Sequence, residues 1–282
     1  MSIKKYSLAI FVSIFFIIWF GGSITLFICS NTDFCVMKKI QNSQTLDNFI
    51  PVKTCDNTKT KGINILNSED NLKVLVIPPK NHFANKKYPL ILVYPPAGKT
   101  KRKSELFYKN LTKESNYYGQ IIAYTDYKIL NEDNLLKLSN VKKEIIDKYC
   151  IDEDNISILG HSDGATNAAM INYRSVGNKT KNLIISAVGI NEKTLSLEQC
   201  PYREFSTLIL HSKNDKLFYN YGEENFSWLA QCSKCELNIE LLKNGCKKIK
   251  NCKRKIFYCE GNEEHSEWPN RNKLIMDFLL NY

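Results

Sequence analysis

The sequence predicts an α/β fold: a mostly parallel central sheet with helices packed on both faces. From Leu72 onward, short apolar runs alternate with longer amphipathic stretches, the signature of successive strand–helix units. The run "PLILVYP" is apolar without alternation, so the strand it forms is buried on both sides, as parallel strands are. Composition agrees, since 43% hydrophobic and 24% charged residues in 282 are ordinary for a globular chain with one sizeable core and exclude wholesale disorder.

The elements follow in order. "LKVLVIP" and "PLILVYP" read as strands, "SELFYKNLTKESNYYG" as a helix starting at Ser104, and "QIIAYT" as the next strand. In "NLLKLSNVKKEIIDKYC", Leu135, Leu138, Val141, Ile145 and Tyr149 recur every three or four residues, one apolar stripe of an amphipathic helix. "NISILG" is a strand, and the stretch after Ser162 is a helix with small Gly164, Ala165, Ala168 and Ala169. "NLIISAV", "STLILH" and "RKIFYC" complete the strands. "YGEENFSWLA" and "NRNKLIMDFLL", the latter behind Pro269, are the remaining helices.

The N-terminal segment reads as a targeting device. After Lys4 and Lys5 no charge occurs until Asp33, and Leu8–Cys29 is uncharged and predominantly apolar. At about 1.5 Å per residue such a helix crosses a hydrocarbon core of roughly 30 Å. The expected organisation is a cytoplasmic tail at 1–7, a transmembrane signal-anchor at 8–29, and a polar stalk at 30–70 leading into a first strand or two. The catalytic domain occupies 71–282. The rival is a cleaved signal peptide ending near Gly21-Gly22-Ser23, which would leave a secreted protein. Either way the lysines stay cytoplasmic and the remainder is exported to the periplasmic or extracellular side.

Ten cysteines fit export. Nine lie beyond the apolar segment, an odd number that leaves one thiol free or paired between chains. Cys232-x-x-Cys235 has a zinc-ligand spacing, but no second such pair and no histidine accompanies it, so disulfides are expected in this region and no metal. Net charge is +10, of which Lys4 and Lys5 supply two. The rest reads as a Lys/Asn-rich solvated surface. No basic–aromatic motif points to nucleic acid.

The chemistry centres on "GHSDG". A serine between glycines, on a turn between a buried strand and a close-packed helix, is the arrangement that exposes a nucleophile. Gly160 and Gly164 answer the demand for a strained turn and a close neighbouring strand. A serine hydroxyl needs a histidine base and an orienting carboxylate, and in such folds these follow in the order serine, acid, histidine. Four histidines permit elimination: His82 precedes the serine, His161 adjoins it and should point away, and His211 precedes the acid. His265 in "EEHSEWP" remains as the base. Asp215 in "SKNDK", just past a strand end, is the acid; its alternative is an ordinary turn residue. The oxyanion donors expected are the N–H groups of Asp163 and of Ala97 in "YPPAGKT", Gly98 being second choice, because Pro95 and Pro96 have no N–H.

Through "YPLILVYPPAG", "KYCIDEDNISILGHSDGA", "CPYREFSTLILHSKNDKLFYNYG" and "EEHSEWP", taken in order, the chain from about residue 72 resembles the secreted polyhydroxybutyrate depolymerase and feruloyl esterase-like branch of the α/β-hydrolases. The resemblance implies an α/β-hydrolase fold. It implies Ser162, Asp215 and His265 as nucleophile, acid and base, no cofactor, and a disulfide near Cys232 and Cys246. Two departures stand out: Pro95-Pro96 replace the usual His-Gly, and Ser212 replaces a Gly. The expected activity is hydrolysis of a small or polymeric carboxylic ester. A peptidase or amidase of the same fold, or an inactive hydrolase serving as a surface binding protein, are the alternatives.

Overall fold

The structure, a computed structural model, describes residues 62–82, 86–235 and 238–282, all within one unit, Asp47–Tyr282. The expected tail at 1–7 and span at 8–29 lie outside the described residues, as does most of 30–70. Among the described residues no helix is long and apolar enough to cross a membrane.

Among the described residues ten strands form one sheet. They are β1 (Asn64–Asn67), β2 (Lys73–Ile77), β3 (Tyr88–Tyr94), β4 (Ile121–Thr125), β5 (Ile151–His161), β6 (Asn182–Ser186), β7 (Ser206–Ser212), β8 (Ile239–Leu241), β9 (Cys246–Ile249) and β10 (Ile256–Gly261). Their spatial order is β1-β2-β4-β3-β5-β6-β7-β10-β9-β8. From β4 to β10 every pairing is parallel, whereas β1, β2, β9 and β8 pair antiparallel at the two margins. The first strand among the described residues thus begins at Asn64, inside the stretch read as leading into a first strand or two. Leu90–Tyr94 of β3 is buried along its whole length, as its unbroken apolar run predicts.

The helices are α1 (Lys101–Phe107), α2 (Leu111–Tyr117), α3 (Glu132–Lys148), α4 (Asp163–Tyr173), α5 (Glu192–Leu195), α6 (Tyr221–Cys232) and α7 (Asn272–Asn281). In α3 the stripe Leu135, Leu138, Val141 and Ile145 is buried, each side chain contributing about 1.5–3 kcal/mol by leaving water. The single helix expected from Ser104 is instead two. It starts earlier, at Lys101 behind the cap Thr100, and breaks where Lys109 and Asn110 take left-handed φ of 34° and 57°. The break follows from Tyr108, whose hydroxyl donates to the Tyr94 carbonyl at 2.6 Å. The Asn272 amide takes up the Tyr108 and Lys109 carbonyls that a continuous helix would have used.

Three disulfides lie among the described residues: Cys200–Cys232, Cys235–Cys252 and Cys246–Cys259. Two fall wholly within the cysteine cluster. Cys232 and Cys246, where the resemblance implies a disulfide, are both bridged, each to a different partner. Cys246 and Cys259 face one another in the β9–β10 ladder. These bridges fit an oxidising compartment.

Candidate active site

The C-terminal ends of the parallel strands present their loops along one edge of the sheet, where this class of fold places its ligands. At the end of β5 the chain turns sharply into α4. A Cβ on Gly160 would lie 2.2 Å from the Gly164 carbonyl oxygen, and one on Gly164 would lie 2.2 Å from that of Tyr94. Any side chain at either position would push α4 off the sheet. Neither glycine carries the strained backbone; Ser162 does, with φ 54° and ψ −123°. That conformation costs a non-glycine residue on the order of 1–3 kcal/mol. It is held by hydrogen bonds on both sides, from the Ser162 N–H to the Ser186 carbonyl at 2.9 Å and from the Thr166 hydroxyl to the Ser162 carbonyl at 3.1 Å.

The loops after β5, β7 and β10 bring Ser162, Asp215 and His265 together. Ser162 Oγ lies 2.9 Å from His265 Nε2, and His265 Nδ1 lies 2.8 Å from Asp215 Oδ2. Asp215 is fully buried, and its other oxygen accepts the N–H groups of Leu217 and Phe218 at 3.0 and 2.9 Å. Burial alone would raise this carboxyl. The bond from His265, the Phe218 N–H and the nearby His265 and His211 charges outweigh burial and hold it below the ordinary aspartate value. Asp215 therefore stays ionised and orients the imidazole. The Phe218 ring packs edge-on against His265 at 4.7 Å.

His161 bonds elsewhere than to the Ser162 hydroxyl. Its Nε2 lies 2.8 Å from the His265 carbonyl oxygen, which only accepts, and its Nδ1 lies 3.0 Å from Ser186 Oγ. Burial lowers its pKa to about 4, against a raising contribution from the His265 carbonyl. At neutral pH the ring is uncharged, so Nε2–H donates to His265 and Nδ1 accepts from Ser186. His161 thus ties the His265 loop to the turn that carries Ser162.

The loop after β7 is laced to the loop after β10. The Lys213 N–H donates to the Gly261 carbonyl at 3.0 Å, the Ser212 hydroxyl donates to the Glu263 carbonyl, and the Asn214 amide donates to the Asn262 carbonyl. Ser212, which stands where the resemblance implies a Gly, fastens the Asp215 loop to the His265 loop.

Asp163 opens α4, and its carboxylate accepts the Tyr127 hydroxyl at 2.9 Å. Burial first, then that carboxylate, push Tyr127 up to about 12. Ala97 and Gly98 are exposed on the loop after β3, which lies against α4, since a Cβ on Gly164 would come within 2.7 Å of the Pro95 carbonyl. Among the described residues neither the Asp163 nor the Ala97 N–H donates a hydrogen bond. The Tyr127 N–H donates to the Lys99 carbonyl at 3.0 Å, and Asp126 accepts the Lys101 N–H at 2.8 Å, so the loop after β4 braces the Ala97 loop. Sequence reasoning missed Asp126 and Tyr127; their one signal was a position directly behind a buried strand. No group of side chains suited to a metal ion occurs among the described residues.

No family model matches the chain, and no curated protein matches its sequence. Solved structures do match its shape. An acetyl xylan esterase from Aspergillus awamori superposes with a TM-score of 0.60 at 12% identity, covering 77% of this chain and 98% of its own. A CE1 ferulic acid esterase from Anaeromyces mucronatus, in complex with ferulic acid, gives 0.55 at 17% identity, over 82% and 95%. An acylaminoacyl peptidase in complex with a chloromethyl ketone gives 0.56 at 14% identity, with 79% of this chain spanning 42% of that one. Together with the parallel sheet and the strand–turn–helix at Ser162, these likenesses establish the α/β-hydrolase fold.

Proposed function

We propose that this chain is a serine hydrolase that cleaves carboxylic esters through an acyl-enzyme. The observation that carries the reading is the continuous relay from Ser162 Oγ through His265 to buried Asp215. Ser162 Oγ attacks the ester carbonyl carbon while His265 Nε2 takes its proton. The carbonyl oxygen becomes an oxyanion, received by the N–H groups of Asp163 and Ala97. Collapse breaks the acyl carbon–oxygen bond, and His265 returns the proton to the departing alcohol. Water, deprotonated by the same imidazole, then releases the acid and restores Ser162. Asp215 remains ionised and holds the imidazolium formed in each half.

The resemblance to the polyhydroxybutyrate depolymerase and feruloyl esterase-like branch, and the likeness in fold to an acetyl xylan esterase and a ferulic acid esterase, support an ester substrate, small or polymeric. The intact relay speaks against a role limited to binding. The disulfides and the apolar segment support an exported catalytic domain anchored through residues 8–29. The test is labelling with a fluorophosphonate probe, followed by turnover of p-nitrophenyl esters alongside peptide anilides. Ser162→Ala should abolish labelling and cut ester turnover by about 10⁴-fold or more at unchanged fold. A folded variant retaining a hundredth of the rate removes Ser162 as nucleophile, and faster turnover of anilides moves the reaction to amides.

A further inference from the structure

We propose that Lys99 is a specificity-determining residue that selects esters bearing an anionic group. The inference rests on the ester-hydrolase reading above and deepens it by naming the substrate's charge.

Lys99 follows Ala97 by two residues on the loop after β3, so its Cα lies within about 7 Å of the Ala97 Cα. Its ammonium stands over the Phe107 ring, 5.1 Å from the centroid, and that ring packs 5.0 Å from His161 and 6.4 Å from Trp268 of the His265 loop. A cation held over an aromatic face keeps a defined place instead of sweeping through solvent. Its neighbours in sequence are neutralised: Lys101 pairs with Asp126 at 3.4 Å and Arg102 with Glu105 at 3.4 Å. Lys99 has no carboxylate within ion-pair distance among the described residues, although it is half-buried. Lys128, on the bracing loop after β4, is likewise half-buried and without an ion pair there. Tyr127, whose N–H donates to the Lys99 carbonyl, also donates its hydroxyl to the Asp163 carboxylate at 2.9 Å, which joins the Lys99 loop to the residue after Ser162. A half-buried ammonium gives up hydration, and leaving it without a counter-ion beside a reaction centre makes sense when the substrate brings the negative charge.

An anionic group that comes within about 4 Å of this ammonium is attracted on the order of five-fold in kcat/KM, an effect that salt weakens. The group is a carboxylate or a phosphate monoester, on the acyl or the alcohol side. Two matched pairs separate the sides: p-nitrophenyl pentanoate against p-nitrophenyl hydrogen glutarate, and methyl 4-acetoxybenzoate against 4-acetoxybenzoate. The expected result is a preference of roughly five-fold for the anion in one pair at low salt, weakened at high salt. Lys99→Gln should erase it and Lys99→Arg should keep it, with turnover of the neutral esters unchanged in both. Lys128→Gln reports whether the second lysine shares the task. Equal rates within both pairs, or a preference that survives Lys99→Gln, overturn the proposal. Wild-type turnover of the neutral esters, lost in Ser162→Ala, would leave the hydrolase reading standing in that event.

Discussion

Ala97→Pro isolates one hydrogen bond. In the turn from Pro96 to Lys99, closed by the Lys99 N–H to the Pro96 carbonyl at 3.2 Å, Ala97 is the second residue. That is the turn position where proline is favoured. Ala97 is exposed, so the added ring meets solvent. Its N–H has no protein acceptor among the described residues, so the folded state loses no bond. The transition state loses one donor to the oxyanion, worth about 3–4 kcal/mol, or 10²–10³ in kcat, with KM little changed. The assay is steady-state hydrolysis of a p-nitrophenyl ester, with circular dichroism melting to verify the fold. Ala97→Ser keeps the N–H and is the control. Gly98→Ala is unsuitable, because Gly98 sits at φ +67° and a side chain there strains the turn by about 1 kcal/mol. A folded Ala97→Pro variant with near wild-type kcat would refute the placement of the oxyanion site.

Acid should weaken the fold through its buried imidazoles. His161 and His211 both have pKa values lowered by burial, His161 to about 4, so the unfolded chain binds more protons than the native one between about pH 6.5 and 4. Stability is full above pH 6.5 and falls as pH drops; at pH 5 His161 alone should cost about 2 kcal/mol relative to pH 7. Urea unfolding of wild type and His161→Asn checks this, and the same loss in the variant would exclude His161 as its source. Reduction of the purified protein should lower its melting temperature, since each bridge contributes about 2–4 kcal/mol. An unchanged melting point, or free thiols at Cys246 and Cys259 in the unreduced protein, would count against these pairings.

The site was legible where chemistry leaves few choices. With four histidines and a fixed order of roles, His265 followed by elimination, and the glycines at 160 and 164 announced the close approach between α4 and the sheet. The central strands were legible because burial on both faces leaves uninterrupted apolar runs. The β8–β9 hairpin was not, since "IEL" and "CKKI" lie at the margin and carry polar residues on half-exposed strands. Disulfide partners depend on strand register, which spacing does not encode. Tyr127, Asp126 and Ser212 act through loop-to-loop bonds between segments distant in sequence, and no local pattern reports those. The double helix α1–α2 reads as one periodic stretch because the tertiary pull on Tyr108 breaks it, not a local propensity.

The antiparallel margins of the sheet bear on how the molecule behaves in a crowd. A row of unsatisfied backbone groups along a sheet edge is a template on which another chain can polymerise. Here, among the described residues, the ten-stranded sheet ends in a four-residue strand, β1, begun and closed by asparagine, and a three-residue strand, β8. The parallel core, whose long apolar strands would be the most adhesive, is thereby screened on either flank by pieces too short to seed a ladder. Such a protein can be held at high local density, as on a surface, without its sheets fusing edge to edge.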